Sequence, residues 1–223
     1  MPVATLTTFN VIALAAGSSV LAAFVTQGLT ELRERWKASR DAAFSALDIA
    51  LALEAYANEC ASLLGDSENY ERSGGNAGSP HGNVADLPDY PTAVEWKAFG
   101  IKPTTEVRSF RVEVESAKAM IRGHWEFGDE DDVVPLVREE AARLGKRALD
   151  MAIQFRSAWG IAPVDYSGEW NVKSYLEEKV QDYAKERKQR EELNRQLGQE
   201  FIREIESTEA KMKAADGLPE PNS

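Results

Sequence analysis

The sequence predicts an all-α protein, and three observations carry that prediction. Apolar residues recur in steps of three and four over two long segments, 104–127 and 132–159, the spacing of one helix face. Helix-stopping residues punctuate those segments at Pro103, Gly128, Gly160 and Pro163. No alternating apolar run of useful length argues for a strand. The expected architecture is an N-terminal transmembrane helix (1–30) that continues into a cytoplasmic antiparallel helical bundle (31–170). That bundle carries a Gly-rich loop at 65–91. A long projecting C-terminal helix (171–215) and a disordered tail (216–223) complete the chain.

The first thirty residues contain no charged side chain, and the next ten hold Arg33, Arg35, Lys37 and Arg40. A helix needs about 20 mostly apolar residues to cross the hydrocarbon core, where no water serves its backbone. Leu6 to Val25 supplies such a stretch, diluted by Asn10, Gly17, Ser18 and Ser19. Lys and Arg accumulate on the cytoplasmic side of a span. The basic cluster that follows therefore predicts a single pass with the N-terminus out, and Trp36 suits an interfacial anchor. Two other readings compete. A signal peptide cleaved near Leu21-Ala22-Ala23 lacks the basic n-region it requires, whereas a helix buried in a protein core is equally apolar all round. Ala15, Ser19 and Ala23 repeat at four-residue spacing, a small-residue stripe through which two spans can approach.

From Glu31 to Leu64 there is no Pro or Gly. Ala42 to Ala57 is apolar on almost every side, with Asp41, Ser45, Asp48 and Glu59 as a narrow polar strip, which predicts a helix nearly surrounded by others. Ser73 to Asn83 has turn formers at almost every position. A phosphate-cradling P-loop would need a Lys and a Ser or Thr after its last Gly, and these are missing, so a plain loop is expected. Thr92 and Glu95 stand at capping-box spacing and predict a short helix over 92–99. After Pro103 the apolar face is Val107, Phe110, Val114, Ala117, Ile121 and Trp125, with Arg108, Arg111, Glu115, Lys118 and Arg122 opposite. Asp131 or Asp132 is the expected cap of the next helix, with Pro135 in its first turn. Val137, Ala141, Leu144, Ala148, Met151, Phe155 and Ala158 form its stripe. Two stripes joined by a short acidic turn predict an antiparallel hairpin.

Val172 to Ala215 reads as one long helix. Val172, Leu176, Val180 and Tyr183 seam its first part; Arg187 and Arg190 then interrupt the seam and must be solvated. Leu193, Leu197, Phe201 and Ile205 resume the stripe, which predicts coiled-coil-like pairing with another copy or another protein.

The chain of 223 residues carries a formal charge of −11. Acidic groups outnumber basic ones along its length, which disfavours nucleic acid as a partner, since phosphate backbones require a basic face. A lone Cys60 permits no intrachain disulfide, as expected of a reducing compartment. Its apolar helix and neighbouring Glu59 favour a buried structural thiol over a nucleophile. His124, Glu126 and Asp129 to Asp132 contain the donors of an oxygen-rich cation site, but acidic clusters at helix starts serve chiefly as caps and dipole partners. Asp48 and Glu54 on the apolar helix are expected to reach a basic residue, such as Arg111 or Arg147, or the bundle surface. Trp96, Trp125 and Trp159 read as core and loop anchors. No catalytic, cofactor-binding or metal residue is assigned, and no cofactor is implied.

The runs Leu51-Ala-Leu-Glu-Ala-Tyr-Ala-Asn-Glu-Cys-Ala61 and Leu87-Pro-Asp-Tyr-Pro-Thr-Ala-Val-Glu-Trp-Lys97, with the preceding span, resemble uncharacterised bacterial proteins that have one N-terminal span and a helical cytoplasmic region. The likeness covers roughly residues 10 to 185. It implies a bacterial inner-membrane location and the same organisation, and carries across no activity and no site residue. The function expected is non-enzymatic: a membrane-anchored helical interaction or scaffold protein, self-associating, with membrane lipid, a second copy or a protein partner on the C-terminal helix. One alternative is an enzyme or small-ligand sensor with a bundle-core site built from Asp48, Glu54 and His124. The other is a soluble oligomeric structural protein of phage or virion type, with residues 1–30 packed in a protein core.

Overall fold

Helix formation follows the apolar spacing closely. The computed structural model describes the backbone of residues 8–80, 82–128, 130–166, 168 and 170–216; side chains are described for Gln27 and from Leu29 onward within that set, except 130–132 and 209–216. Four α-helices occur among these residues: α1 (Thr8–Arg72), α2 (Ile101–Phe127), α3 (Glu130–Ala158) and α4 (Val172–Asp216), with one 3₁₀ turn at Trp96–Phe99 and no strand. The protein is all-α. No helix among the described residues is long and apolar enough to cross a membrane. The side chains of the expected span and of Ala15, Ser19 and Ala23 lie outside the described residues, as do His81 and the tail from Gly217.

The chain divides into two compact units, and α1, α2 and α3 each contribute a segment to both. The first unit comprises the described residues up to Tyr56, Asp86–Glu115 and Ala148–Asp165. Ile49, Leu53 and Tyr56 from α1, Val107, Phe110 and Val114 from α2, and Leu149, Ala152 and Phe155 from α3 are buried there. Each large side chain so removed from water contributes about 1.5–3 kcal/mol. The Tyr56 and Phe110 rings meet edge-on at 5.6 Å. Phe99 sets its ring against Phe155 at 5.6 Å and Trp159 at 5.3 Å. Arg156 forks onto Glu54, with Nε–Oε1 2.6 Å and Nη2–Oε2 2.9 Å. Glu54 thus reaches a basic residue as expected, and that residue is Arg156 of α3. A bidentate pair that is nearly buried tolerates single deletions poorly, because removing one member leaves an uncompensated charge.

The second unit comprises Ala57–Ala85, Ser116–Arg147 and the described residues from Tyr166. Cys60, Leu64, Ile121, Val133, Val137, Leu144 and Leu176 are buried in it. Gly145 marks the closest approach: a Cβ there would lie 2.8 Å from Cys60 Cβ and 3.2 Å from Leu176 Cδ2. Three helices thus meet around one missing side chain.

Some boundaries differ from those the sequence suggested. Helix α1 passes through Gly65 and ends at Arg72, so the loop starts at Ser73 and not at 65. Tertiary contacts explain the extension. Arg138 donates to Ser67 Oγ (2.7 Å), to the Ser67 carbonyl (3.1 Å) and to Glu71 (2.6 Å), securing the last turns of α1. The Gly-rich segment then folds back: Ser73 Oγ accepts from the Ala77 N–H at 2.8 Å, and Asn76 donates to the Ser73 carbonyl at 2.8 Å. Gly78 has φ +78°, and a Cβ there would come within 2.1 Å of the Asp66 carbonyl. Only glycine fits. The expected helix over 92–99 shrinks to the 3₁₀ turn because no capping box forms. Instead the Glu95 N–H donates to Ser45 Oγ at 3.3 Å. Helix α2 begins at Ile101, so Pro103 sits in its first turn, where its missing N–H is not needed. Helix α3 begins at Glu130, so Pro135 lies one turn deeper than expected. The side chains of Asp131 and Asp132 are outside the described residues.

Candidate functional site

The far half of α4 is where the pattern and its surroundings part. The helix starts on Asn171, whose Oδ1 accepts from the Ser174 N–H at 3.0 Å, a side-chain cap of the usual kind. Its first turns are docked: Val172, Leu176 and Tyr183 are buried. Lys179 Nζ lies 2.6 Å from Glu68, with both side chains mostly covered, and also sits over the Tyr175 ring at 5.4 Å. Burial and the Glu68 carboxylate push the Tyr175 phenol up to about 12. The same two causes raise Tyr183.

Arg187 and Arg190 then leave the core as expected, and both reach Glu139, at 2.6 and 3.9 Å. Beyond them, Leu193, Leu197, Phe201, Ile202 and Ile205 are exposed, Phe201 to 65%. The side-chain polar contacts of residues 191–208 run within the helix: Arg195 to Glu192, Gln196 to Glu192 at 2.9 Å and Thr208 to the Glu204 carbonyl at 2.9 Å. A stripe of this size in water is unfavourable unless something covers it.

A second exposed surface lies on α1. Leu29, Leu32 and Trp36 face solvent, Trp36 to 78%. Arg33, Arg35, Lys37 and Arg40 are exposed around them. An indole amid cations on a helix surface matches the chemistry of a lipid headgroup layer.

The residues weighed for catalysis or metal binding are accounted for one by one. Asp48 is exposed, and Glu54 is held by Arg156. His124 is exposed in the second unit, its Nδ1 3.0 Å from the Met120 carbonyl. Among the described residues no group of three or more His, Cys, Asp or Glu is placed to hold a metal ion, and Asp129 to Asp132 fall outside the side chains described. Cys60 is a fully buried thiol outside any disulfide, packed where Gly145 leaves room for it. Trp125 is a loop anchor, its Nε1 donating to the Gly82 carbonyl at 2.7 Å. Arg108 and Arg111 lie on the face of α2 opposite the apolar stripe, as the spacing suggested, and each guanidinium also sits over an aromatic ring, Trp96 and Tyr90 respectively, which the sequence did not reveal. Comparison of the chain with protein families, curated proteins and solved structures finds no match.

Proposed function

We propose that the protein is a single-pass, membrane-anchored helical interaction module that self-associates through the far half of α4. The observation that carries this reading is the exposed stripe of Leu193, Leu197, Phe201 and Ile205 on a helix whose first half is docked. The uncharged stretch 1–30, the cations at Arg33 to Arg40 and the exposed Trp36 support the anchor. In this reading the N-terminus faces out and the helical units lie in the cytoplasm, and the bacterial inner membrane follows from the resemblance over residues 10 to 185.

Two measurements test the reading. Carbonate washing of membranes should leave the full chain in the pellet, and release into the supernatant would overturn the anchor. Because Cys60 is buried, a cysteine introduced at Leu197 reports on α4 alone. Oxidation should crosslink Leu197→Cys into a dimer and leave Lys185→Cys monomeric. Monomer at both positions would remove the self-association.

A further inference from the structure

One concavity of about 310 Å³ lies in the first unit. The 89–92 segment, Trp96, Arg108 and Arg111 line it. The volume matches a small-molecule site. Arg108 and Arg111 are one turn apart and share a face of α2. The Arg108 guanidinium lies over the Trp96 ring at 5.4 Å, and that of Arg111 over the Tyr90 ring at 5.3 Å.

The two aromatic plates are themselves fixed. Tyr90 donates from its hydroxyl to the Val107 carbonyl at 3.3 Å, and Thr104 donates to the Trp96 carbonyl at 3.0 Å. Their rings meet edge-on at 5.7 Å. Arg111 is further tied to the Pro88 carbonyl at 2.8 Å and to Asp89 at 3.2 Å. Arg111 therefore has restricted freedom before any ligand arrives, which lowers the entropy cost of binding, and Arg108 rests on the Trp96 ring.

Charge completes the case. The lining carries two guanidiniums and one carboxylate, a net positive charge in a chain of −11. Arg72, Arg138, Arg143, Arg156 and Lys179 each hold a carboxylate. Arg108 holds none among the described residues, and its neighbours at three and four residues, Thr104, Thr105, Arg111 and Val112, offer none.

We infer that this concavity binds a phosphate monoester, with the phosphate between Arg108 and Arg111 and the organic group over Trp96 and Pro91. Planar guanidinium forks match phosphate oxygens two at a time, and a dianion suits two cations better than a carboxylate does. Asp89 competes with the ligand for Arg111. The inference is independent of the membrane anchor and of α4 pairing.

Calorimetry on the full-length chain tests it, with phenyl phosphate, inorganic phosphate and soluble dihexanoyl phosphatidic acid as probes. Saturable binding is expected, with phenyl phosphate tighter than inorganic phosphate. Arg108→Ala should weaken it about tenfold or more, the loss of a charge-assisted pair. Arg108→Lys should recover only part, and Asp89→Asn should tighten it severalfold, a gain that misfolding cannot imitate. Preference for phosphatidic acid over phenyl phosphate assigns the source as a lipid headgroup; the reverse assigns a soluble monoester. No saturable binding of any probe, or equal binding by wild type and Arg108→Ala, would overturn the site.

Discussion

The two halves of α4 carry the same kind of apolar stripe and meet different fates. Leu176 and Tyr183 are buried, whereas Leu197 and Phe201 stand in solvent. Spacing of three and four creates a face, but it does not provide the surface that covers it. Segments of α1 and α3 provide that surface for the first half: Cys60 and Gly145 meet Leu176, and Glu68 meets Lys179. For the second half, among the described residues, the polar hand-hold from another element is Glu139, near its start. Periodicity therefore reports amphipathicity, and occupancy must be read from the neighbours.

The sharpest way to break the contrast is to truncate each half. Leu176→Ala should lower unfolding free energy by about 2–5 kcal/mol, the cost of a cavity in a packed site. Phe201→Ala should change it by no more than about 0.5 kcal/mol while abolishing self-association. Denaturant unfolding and light scattering read the two effects separately. Equal losses of stability would mean that the far half is docked after all.

Two glycines sharpen the same point. Gly145→Ala places a methyl group against Cys60 and Leu176 and should destabilise by about 1–3 kcal/mol through overpacking. Gly198 has nothing within 4 Å of an added Cβ, so Gly198→Ala should stabilise by about 0.5–1 kcal/mol through helix propensity alone. Opposite shifts in melting temperature are the expected result.

Smaller effects separate the ion pairs. Lys179 and Glu68 are mostly covered, whereas Arg195 is two-thirds exposed beside Glu192. Lys179→Ala should cost about 1 kcal/mol or more, and Arg195→Ala close to nothing, since exposed pairs contribute about 0–1 kcal/mol. A double-mutant cycle on each pair measures the coupling.

Alkaline pH gives the last comparison. Tyr175 lies in the docked half, and burial followed by the Glu68 carboxylate raises its phenol from 10 to about 12. The folded chain therefore holds that proton more tightly than the unfolded one. Its contribution is complete below pH 10 and declines as pH rises from about 10 to 12. Denaturant midpoints at pH 9 and pH 11 should differ less in Tyr175→Phe than in the wild type. At neutral pH the same substitution should be neutral or slightly stabilising, because the Tyr175 hydroxyl is buried without a hydrogen-bond partner.

Much of the fold was legible in the sequence because its strongest signals are local. The stripes of α2, α3 and α4 need only helical geometry to be read, and Gly160 falls just past the end of α3. Where long-range contacts decided, local rules failed. Gly65 looked like a stop, but Arg138 holds the turns beyond it. Thr92 and Glu95 had capping-box spacing, but Ser45 satisfies the Glu95 N–H instead. The partner of Glu54 lies 102 positions away, beyond any pattern in one helix. The face carrying Arg108 and Arg111 was legible, but nothing in α2 reveals that Trp96 and Tyr90 lie against their guanidiniums.

The hold of Arg138 on the final turns of α1 makes a place to edit the chain. One guanidinium grips a hydroxyl, a carbonyl and a carboxylate, so fraying that starts in the glycines has to detach all three before it can travel up the helix. A tag or protease site inserted between Asn76 and Ala77 would sever the Ser73 stitch and stop there. In an Arg138→Met background the same insertion should let fraying run back through Glu71 towards Glu68, where Lys179 is the next hold, and amide hydrogen exchange would register the difference.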